Sequence, residues 1–338
     1  MALVVAGGRL ARVGIAGVLI SGLGVACGGG DDSPETADSG PSVPAADAGL
    51  ADAGQAADAG DGVDAGLDLE ATGGFAGPKR RGTTPAAGSA PALPPGSAFR
   101  ALQMNLCDSG YAGCYADGQS IAEGYAVITD VLPDLVTLNE ICEDDVSSQL
   151  FPAMAEAWPD DYVFWVFAPA GRRSSGGPVT CTDGQRYGIG ILGHVPAASW
   201  TGFEFEGDRL SDQDPDQDEM RAWACAYAAG SHYGCVTHLA NGNSDVAMLQ
   251  CQQVMNPIVP QFWGAHGGAL PTVVGGDLNL SFGGNPDVQD CVPPAWFRKG
   301  DDDVQHIMAT DDFTFDSTEL IPMSFTDHDA WLVRLLAP

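Results

Sequence analysis

Positively charged residues are scarce in this sequence of 338 residues, which has 14 Lys and Arg against 45 Asp and Glu and a formal net charge of −31. Residues 1–96 carry −6 of that charge, and the rest of the chain, with nine Lys and Arg against 34 Asp and Glu, carries −25. So few cations argue against tight, nonspecific binding to nucleic acid, which depends on Lys and Arg meeting phosphates. A strongly acidic domain is compatible with one that holds divalent cations and works outside the cell.

The N-terminal region has no apolar run long enough to cross a membrane. Residues 13–26 form an apolar run of 14 residues after Arg9 and Arg12, whereas a transmembrane helix needs about 20. This pattern predicts a signal peptide over residues 1–27.

The end of that run, "LGVAC", resembles the lipobox of bacterial lipoproteins, in which the Cys becomes lipidated. Cys27 is therefore a predicted lipidation site, although Leu23 lies four residues before it rather than the usual three. Gly28 in place of an Asp favours the outer membrane by the same resemblance. The alternative is an ordinary cleaved signal and secretion.

Aromatic residues are nearly absent from residues 28–97, which consist mainly of Ala, Gly, Asp, Pro and Ser with an irregular "DAG" repeat. Such a composition cannot form a core and predicts a disordered linker. The remaining residues, 98–338, suit one large domain.

Zinc-site spacing is missing from the nine cysteines. Setting Cys27 aside leaves an even number, eight, which in an exported protein implies disulfides. Eight cysteines allow about a hundred connectivities, so the pairing stays a guess. The guess is Cys107 with Cys114, Cys142 with Cys181, Cys225 with Cys235, and Cys251 with Cys291.

Alternating and apolar segments in this domain predict many strands and a few helices, and hence a single-domain, four-layer α/β sandwich of two mixed β-sheets flanked by helices. The predicted strands are 99–107, 134–142, 161–169, 186–193, 271–280, 303–310 and 327–336, with a hairpin at 221–239, and the predicted helices are 121–133 and 244–263.

Polar residues of one chemical kind follow several of the predicted strands. In "VVGGDLNLSF", Asp277 and Asn279 lie two apart, so strand alternation would project both side chains into one cleft. Gly275 and Gly276 would let neighbouring groups approach the backbone. An ordinary turn is the alternative, since Gly, Asp and Asn form turns.

Five short motifs in order, "MNLC", "TLNEI", "VTHL", "GGDLN" and "TDHDAWL", resemble the endonuclease/exonuclease/phosphatase superfamily, the fold of pancreatic deoxyribonuclease. The resemblance spans roughly residues 99–335. It implies hydrolysis of a phosphate ester by water with the help of Mg²⁺, and Mn²⁺ and Ca²⁺ are the alternative metals. The implied roles are metal binding by Asn105, Glu140 and Asp327, and catalysis by His238, Asp277, Asn279 and His328.

One position departs from the family pattern. Members commonly carry an Asp that pairs with the terminal His, and here Gln305 takes that place, with Asp303 as a substitute two residues earlier. His306 is interpreted as structural. Arg186 either reaches the substrate phosphate or forms a structural ion pair. The acidic segment 212–218 resembles the start of a calcium loop, but a solvated loop is the favoured reading because the Gly and Glu of such a loop are missing.

The fold alone does not select a substrate. The favoured function is an extracytoplasmic, metal-dependent nuclease or phosphodiesterase, acting as a monomer on nucleic acid or a phospholipid head group and touching the membrane only through the N-terminal anchor. The alternatives are a sphingomyelinase-like phospholipid phosphodiesterase and a non-catalytic surface binding protein.

Overall fold

The computed structural model describes residues 69–78 and 93–338 of the chain, all within one compact unit, Val63–Pro338. The predicted signal peptide, lipidation at Cys27 and most of the predicted linker lie outside the described residues and stay predictions. Within the described part, no helix is both long and apolar enough to span a membrane.

Two sheets form the centre of the fold. The seven-stranded sheet has the order β1-β4-β6-β3-β2-β15-β14. Its strands in chain order are β1 Thr72–Ala76, β2 Ala98–Asn105, β3 Leu135–Cys142, β4 Tyr162–Pro169, β6 Tyr187–Val195, β14 Thr314–Ile321 and β15 Ala330–Leu336.

The six-stranded sheet has the order β12-β13-β11-β10-β9-β7. Its strands are β7 Phe203–Arg209, β9 Ala222–Ala228, β10 His232–His238, β11 Thr272–Asp277, β12 Trp296–Gly300 and β13 Gln305–Thr310. A short ribbon pairs β5 Gly171–Arg172 with β8 Glu219–Met220.

Helices cover the outer face of each sheet. They are α1 Gln119–Val131 and α2 Phe151–Ala157 on one side, and α3 Ser244–Gln253 and α4 Val259–Ala265 on the other, with π-helical turns at Asp145–Leu150 and Val254–Ile258 and a 3₁₀ turn at Val288–Cys291. Asn243 begins α3 by accepting the backbone N–H of Asp245 at 3.1 Å. Pro257 lacks an N–H and lies in the π-helical turn before α4, which interrupts the predicted single helix 244–263.

Three apolar layers hold these elements together. Phe99, Leu135 and Phe164 of the seven-stranded sheet pack between the sheets against the alanines of β9. The outer face of the seven-stranded sheet packs on α1 and α2, and that of the six-stranded sheet packs on α3 and α4. The result is the predicted four-layer α/β sandwich. Strand alternation decides whether a side chain lies between the sheets or faces the helices.

The segment Thr72–Ala76 corrects the predicted linker. It forms an antiparallel edge strand along β4, and Thr72 Oγ1 donates to Glu143 Oε1 at 2.8 Å. Gly73 and Gly74 lie against Trp165, where an added Cβ would come within 2.8 Å of its atoms. The segment needs no core of its own because the exposed edge of β4 supplies backbone partners for it.

Four disulfides are present, and their pairing agrees with the predicted one: Cys107–Cys114, Cys142–Cys181, Cys225–Cys235 and Cys251–Cys291. The third joins directly opposite residues of β9 and β10. Four disulfides favour an oxidising compartment outside the cytoplasm.

Candidate active site

The inner faces of the two sheets change from apolar to polar at one end of the sandwich. On β2, Phe99 and Ala101 are followed on the same face by Gln103 and Asn105, and all are buried. The neighbouring parallel strand β3 aligns Asn139 opposite Asn105. The polar pairs lie where these strands end, which is where sites form on α/β sheets.

Glu140 lies at a bulge next to Asn139. The pairing of β3 with β6 shifts register between Asn139 and Ile141, and Glu140 has a φ of 53°. A bulge re-aims the side chain of the extra residue, and here Asn105 Nδ2 donates to Glu140 Oε1 at 3.0 Å. Burial is the main effect on this carboxyl and raises its pKa above the ordinary value, although the Asn105 hydrogen bond opposes that shift.

Asp277 ends β11 and lies at the centre of the polar cluster. It is 2% exposed. Asn105 Nδ2 also donates to Asp277 Oδ2 at 3.1 Å, so one amide bridges two carboxylates. The Asp277 backbone N–H donates to Asn139 Oδ1 at 2.6 Å, which fixes the end of β11 to the opposite sheet.

The two glycines before Asp277 allow this close approach. A Cβ on Gly275 would lie 2.3 Å from Thr137 Oγ1, and one on Gly276 would lie 2.0 Å from Thr237 O. Both distances are shorter than non-bonded atoms tolerate, so no larger residue fits without movement of the strands. The expectation that Gly275 and Gly276 admit neighbouring groups is confirmed.

Asn279 reaches the cluster by a turn and not by strand alternation. The strand ends at Asp277 rather than at residue 280, and Asn279 has a φ of 49°, a left-handed conformation that Asn tolerates. Its backbone N–H donates to Asp277 Oδ1 at 3.1 Å, and its Nδ2 donates to Leu239 O at 3.0 Å. The alternative of a turn therefore describes the backbone, and it is the backbone N–H of Asn279 that contacts Asp277.

His238 ends β10 directly opposite Asp277 of the parallel strand β11. Its Nε2 is 3.9 Å from Asp277 Oδ2, and its Nδ1 is 2.9 Å from an Arg221 guanidinium nitrogen. Burial chiefly, with help from Arg221 and His328, holds the pKa of the His238 imidazole well below its ordinary value.

His328 approaches the same carboxylate from the loop before β15. Its Nε2 is 3.6 Å from Asp277 Oδ2 and 4.0 Å from Asp327 Oδ1. Thr326 Oγ1 donates to the backbone carbonyl of Asn105 at 2.9 Å, which ties this loop to β2. The Asp327 side chain is 59% exposed, so it lies at the rim of the cluster.

The residues named from the sequence motifs thus come together around Asp277: Asn105, Glu140, His238, Asn279, Asp327 and His328. The two predicted supports for His328 do not contact it. Gln305 Nε2 donates to Asp329 O at 2.7 Å and to Asp301 Oδ2 at 3.2 Å, so it holds the backbone just after His328 instead of the imidazole. Asp303 is exposed in the loop before β13, and its backbone N–H donates to Asp301 Oδ1 at 2.9 Å.

Two further sequence predictions, for Arg186 and His306, have clear outcomes, and the solvated-loop interpretation of segment 212–218 stays a prediction. Arg186 forms an ion pair with Glu143 at 2.6 Å, which is the structural alternative for that residue. His306 is buried and its Nε2 donates to Leu280 O at 2.7 Å, in agreement with a structural role. In the acidic segment 212–218, Asp218 accepts hydrogen bonds from Ser174, so this loop closes on a neighbouring loop.

Arg221 and Asn139 were not recognised from the sequence. Arg221 is buried beside His238 and lies between β8 and β9. A single Arg in the apolar stretch "RAWACAYAA" was the available signal, because an Arg is rarely buried without a partner. For Asn139 the signal was a polar residue on the inner face of an otherwise apolar strand.

The donor set fits a hard divalent cation. Glu140 is a half-buried carboxylate and Asp277 a buried one, and the oxygen-rich cluster is of the kind that Mg²⁺ prefers. Among the described residues, every compact group of three metal-binding side chains contains a disulfide Cys, which is not a ligand. A cation at Glu140 would therefore take further ligands from water and substrate, as Mg²⁺ commonly does.

Scans against protein-family models and curated proteins gave no match. Among solved structures, an endonuclease/exonuclease/phosphatase family protein from Bacteroides thetaiotaomicron superposes with a TM-score of 0.50 at 13% identity, covering 72% of this chain and 98% of that one. A mannosyl-6-phosphatase from the same organism gives a TM-score of 0.49 at 14% identity, covering 70% and 99%. The first of these shows that the chain has the endonuclease/exonuclease/phosphatase fold.

Proposed function

We propose that this chain is an extracytoplasmic, metal-dependent phosphodiesterase that hydrolyses a phosphate ester by in-line attack of water. The observation that carries the proposal is the convergence of two imidazoles, the Asn105 amide and the Asn279 backbone N–H on the buried carboxylate of Asp277. Such a set can position a water, take its proton and hold phosphoryl oxygens.

Asp277 is the residue that we assign to the attacking water. Its carboxylate is held by Asn105 Nδ2 at 3.1 Å and by the backbone N–H of Asn279 at 3.1 Å, so its direction is fixed before substrate binds. A carboxylate in a fixed direction can orient a water and accept its proton.

The phosphoryl group would lie against the donors around Asp277. His238 Nε2 and His328 Nε2 lie 3.9 Å and 3.6 Å from Asp277 Oδ2, beyond hydrogen-bond distance, so both can donate to a substrate oxygen. Asn279 uses one amide N–H on Leu239 O and retains a second. Each fixed donor of this kind is typically worth about 3 kcal/mol in the transition state.

Glu140, which accepts a hydrogen bond from Asn105 Nδ2 at 3.0 Å, is the assigned metal-binding residue, and Asp327 at the rim of the cluster keeps its predicted place on the metal side. A bound Mg²⁺ would neutralise charge that develops on the phosphoryl oxygens. The Asn105 amide nitrogen faces Glu140 and Asp277 here, and its oxygen accepts from the Cys107 N–H at 3.2 Å. Its assigned part is therefore to hold both carboxylates in place.

Activity assays on the purified protein test this proposal. The substrates are plasmid DNA, RNA, sphingomyelin and bis-p-nitrophenyl phosphate, each with Mg²⁺, Mn²⁺ or Ca²⁺ and with a chelator. We expect nicking or ester hydrolysis that the chelator stops. Glu140→Gln should lower kcat/KM at least about a hundredfold, because several kcal/mol of metal-derived stabilisation are lost. Glu319→Gln, which changes an exposed carboxylate paired with Arg334, is the matched control.

The outcomes separate the alternatives. Release of choline phosphate from sphingomyelin, without plasmid nicking, selects the phospholipid substrate. No turnover of any substrate, with Glu140→Gln indistinguishable from the unmodified protein, selects a binding protein and contradicts the proposal.

A further inference from the structure

Arg221 is buried between two groups of opposite character. One guanidinium nitrogen lies 2.6 Å from Glu219 Oε1 and 2.9 Å from His238 Nδ1. The Arg221 side chain is 7% exposed and the Glu219 side chain 29%, so the ion pair reaches from the surface to the imidazole. Because Glu219 already holds the guanidinium in place, Arg221 can orient the imidazole at a small further cost in side-chain entropy.

The chemistry of this contact fixes the protons of His238. A guanidinium only donates hydrogen bonds, so the nitrogen that faces it must accept. Nδ1 of His238 therefore carries a lone pair, and the neutral ring has its hydrogen on Nε2. A second proton on Nδ1 would break the contact and place a cation against Arg221.

The Nε2 hydrogen of His238 has no acceptor among the described residues. The carboxylate that faces it, Asp277 Oδ2, is 3.9 Å away, beyond hydrogen-bond distance. The charged or titratable groups that face the imidazole are Arg221, Asp277 and His328. A donor that the protein leaves unused is available to a ligand, and here it lies on the side of Asp277, at the position assigned to the phosphate.

In a second Arg–His pair of the same sheet, both imidazole nitrogens have a hydrogen-bond partner within the protein. Arg298 contacts His306 Nδ1 at 2.9 Å, and His306 Nε2 donates to Leu280 O at 2.7 Å. Both pairs have the guanidinium on Nδ1, and the difference lies at Nε2. The His306 donor is used within the protein, whereas the His238 donor is open.

We propose that Arg221 is a positioning residue that, braced by Glu219, holds His238 as the neutral tautomer with its Nε2–H directed at a phosphoryl oxygen of the substrate. This inference rests on the proposed function for the identity of the ligand. His238 then acts as a hydrogen-bond donor and does not carry the proton of the reaction, because Arg221 occupies the nitrogen that would take it.

Nitrogen NMR of the protein labelled at histidine tests the tautomer without any substrate. We expect one His238 form, with hydrogen on Nε2 and none on Nδ1, from about pH 5 to pH 8, a range over which an ordinary imidazole titrates. The His238→Gln variant assigns the signal. In Arg221→Met the signal should show both tautomers and titrate within that range, whereas Arg221→Lys, which retains a donor, should keep the native form.

Kinetics supply the second measurement. We expect Arg221→Met to lower kcat roughly tenfold to a hundredfold with a smaller change in KM, since a displaced donor costs about that much, and Arg221→Lys to recover part of the loss. Arg334→Met, which removes a half-buried Arg from its pair with the exposed Glu319, is the control and should change neither measurement.

Two results would overturn the inference. One is a wild-type His238 that carries its hydrogen on Nδ1 or gains a second proton in the tested range. The other is an Arg221→Met protein with the native tautomer and native kcat. If Arg221→Met does not fold, the wild-type and Arg221→Lys spectra still decide. Absence of hydrolysis in the unmodified protein contradicts the proposed function, and the spectra then decide on Arg221 separately.

Discussion

Replacement of Asn139 by Leu should separate the two sheets at the candidate site. Asn139 Oδ1 accepts from the Asp277 backbone N–H at 2.6 Å and from Gln103 Nε2 at 2.7 Å, and its Nδ2 donates to Thr237 O at 3.0 Å. Leu has a similar size and no polar atom, so three buried groups lose their partner. Each such group costs about 1 to 3 kcal/mol.

We expect the free energy of unfolding to fall by about 4 kcal/mol, near the lower end of the summed range, because Gln103 Nε2 also lies 3.5 Å from Gln305 Oε1 and can keep a partner. A domain has only about 5 to 15 kcal/mol in total, so the change is easily seen in urea unfolding. The rate of phosphoester hydrolysis should fall with it, since the Asp277 backbone loses its anchor.

Asn256→Leu is the matched control for this experiment. Asn256 is exposed and makes one hydrogen bond, to Gln252 O at 3.0 Å, so the same substitution there should cost less than about 0.5 kcal/mol. If the free energy of unfolding of Asn139→Leu lies within about 1 kcal/mol of that of the unmodified protein, the hydrogen bonds of Asn139 between the sheets do not stabilise the fold as reasoned.

Two further changes test other parts of the structure. Burial lowers the pKa of His232 to about 3 from 6.5, so the neutral imidazole contributes its full stability above pH 6.5 and this contribution is lost as pH falls. At pH 5 the loss in the free energy of unfolding is about 2 kcal/mol. The dependence of Tm on pH should therefore be weaker in His232→Phe. The Cys107–Cys114 sulfurs lie within 4.8 Å of an Asp327 oxygen, and the Cys107 N–H donates to Asn105 Oδ1; the double Ser variant should therefore hydrolyse substrate roughly tenfold more slowly.

The controls for these two changes are internal. A His232→Phe protein whose Tm follows pH in parallel with the unmodified protein would contradict the buried neutral imidazole. The Cys251→Ser/Cys291→Ser double variant removes a disulfide on the outer face, between α3 and the 3₁₀ turn. Its Tm should fall while kcat stays, and an equal loss of kcat in both double variants would contradict a local role for Cys107–Cys114.

The strand ends that carry the site could be predicted because their polar residues interrupt apolar segments. A buried run precedes each of Asn105, Glu140 and Asp277. The two glycines before Asp277 indicate that neighbouring strands approach the backbone closely there, as the structure shows. The disulfide pairing also agrees, and for Cys225–Cys235 the hairpin explains why: the two residues are opposite each other across the ladder.

The residues that were missed depend on contacts between distant segments. β1 gains its order from the free edge of β4, which no local composition reveals. Two edge strands were also missed: β7 alternates between half-buried and exposed residues but has few apolar ones, and β14 is exposed along most of its length. Gln305 and Asp303 were placed beside His328 by strand spacing alone, but the amide of Gln305 is drawn to Asp301 and to the backbone at Asp329.

Because β1 lies along β4, any pull on the polypeptide that precedes it acts at the start of the backbone ladder between these two strands. The contacts at that point are those of Arg186 with Glu70 O and of Thr72 with Glu143, which is itself paired with Arg186. For a chain held at its N-terminus, mechanical load would thus be met at the edge of the seven-stranded sheet. A force on the preceding polypeptide would reach β2, and with it Asn105, only after the hydrogen bonds between β1 and β4 had broken.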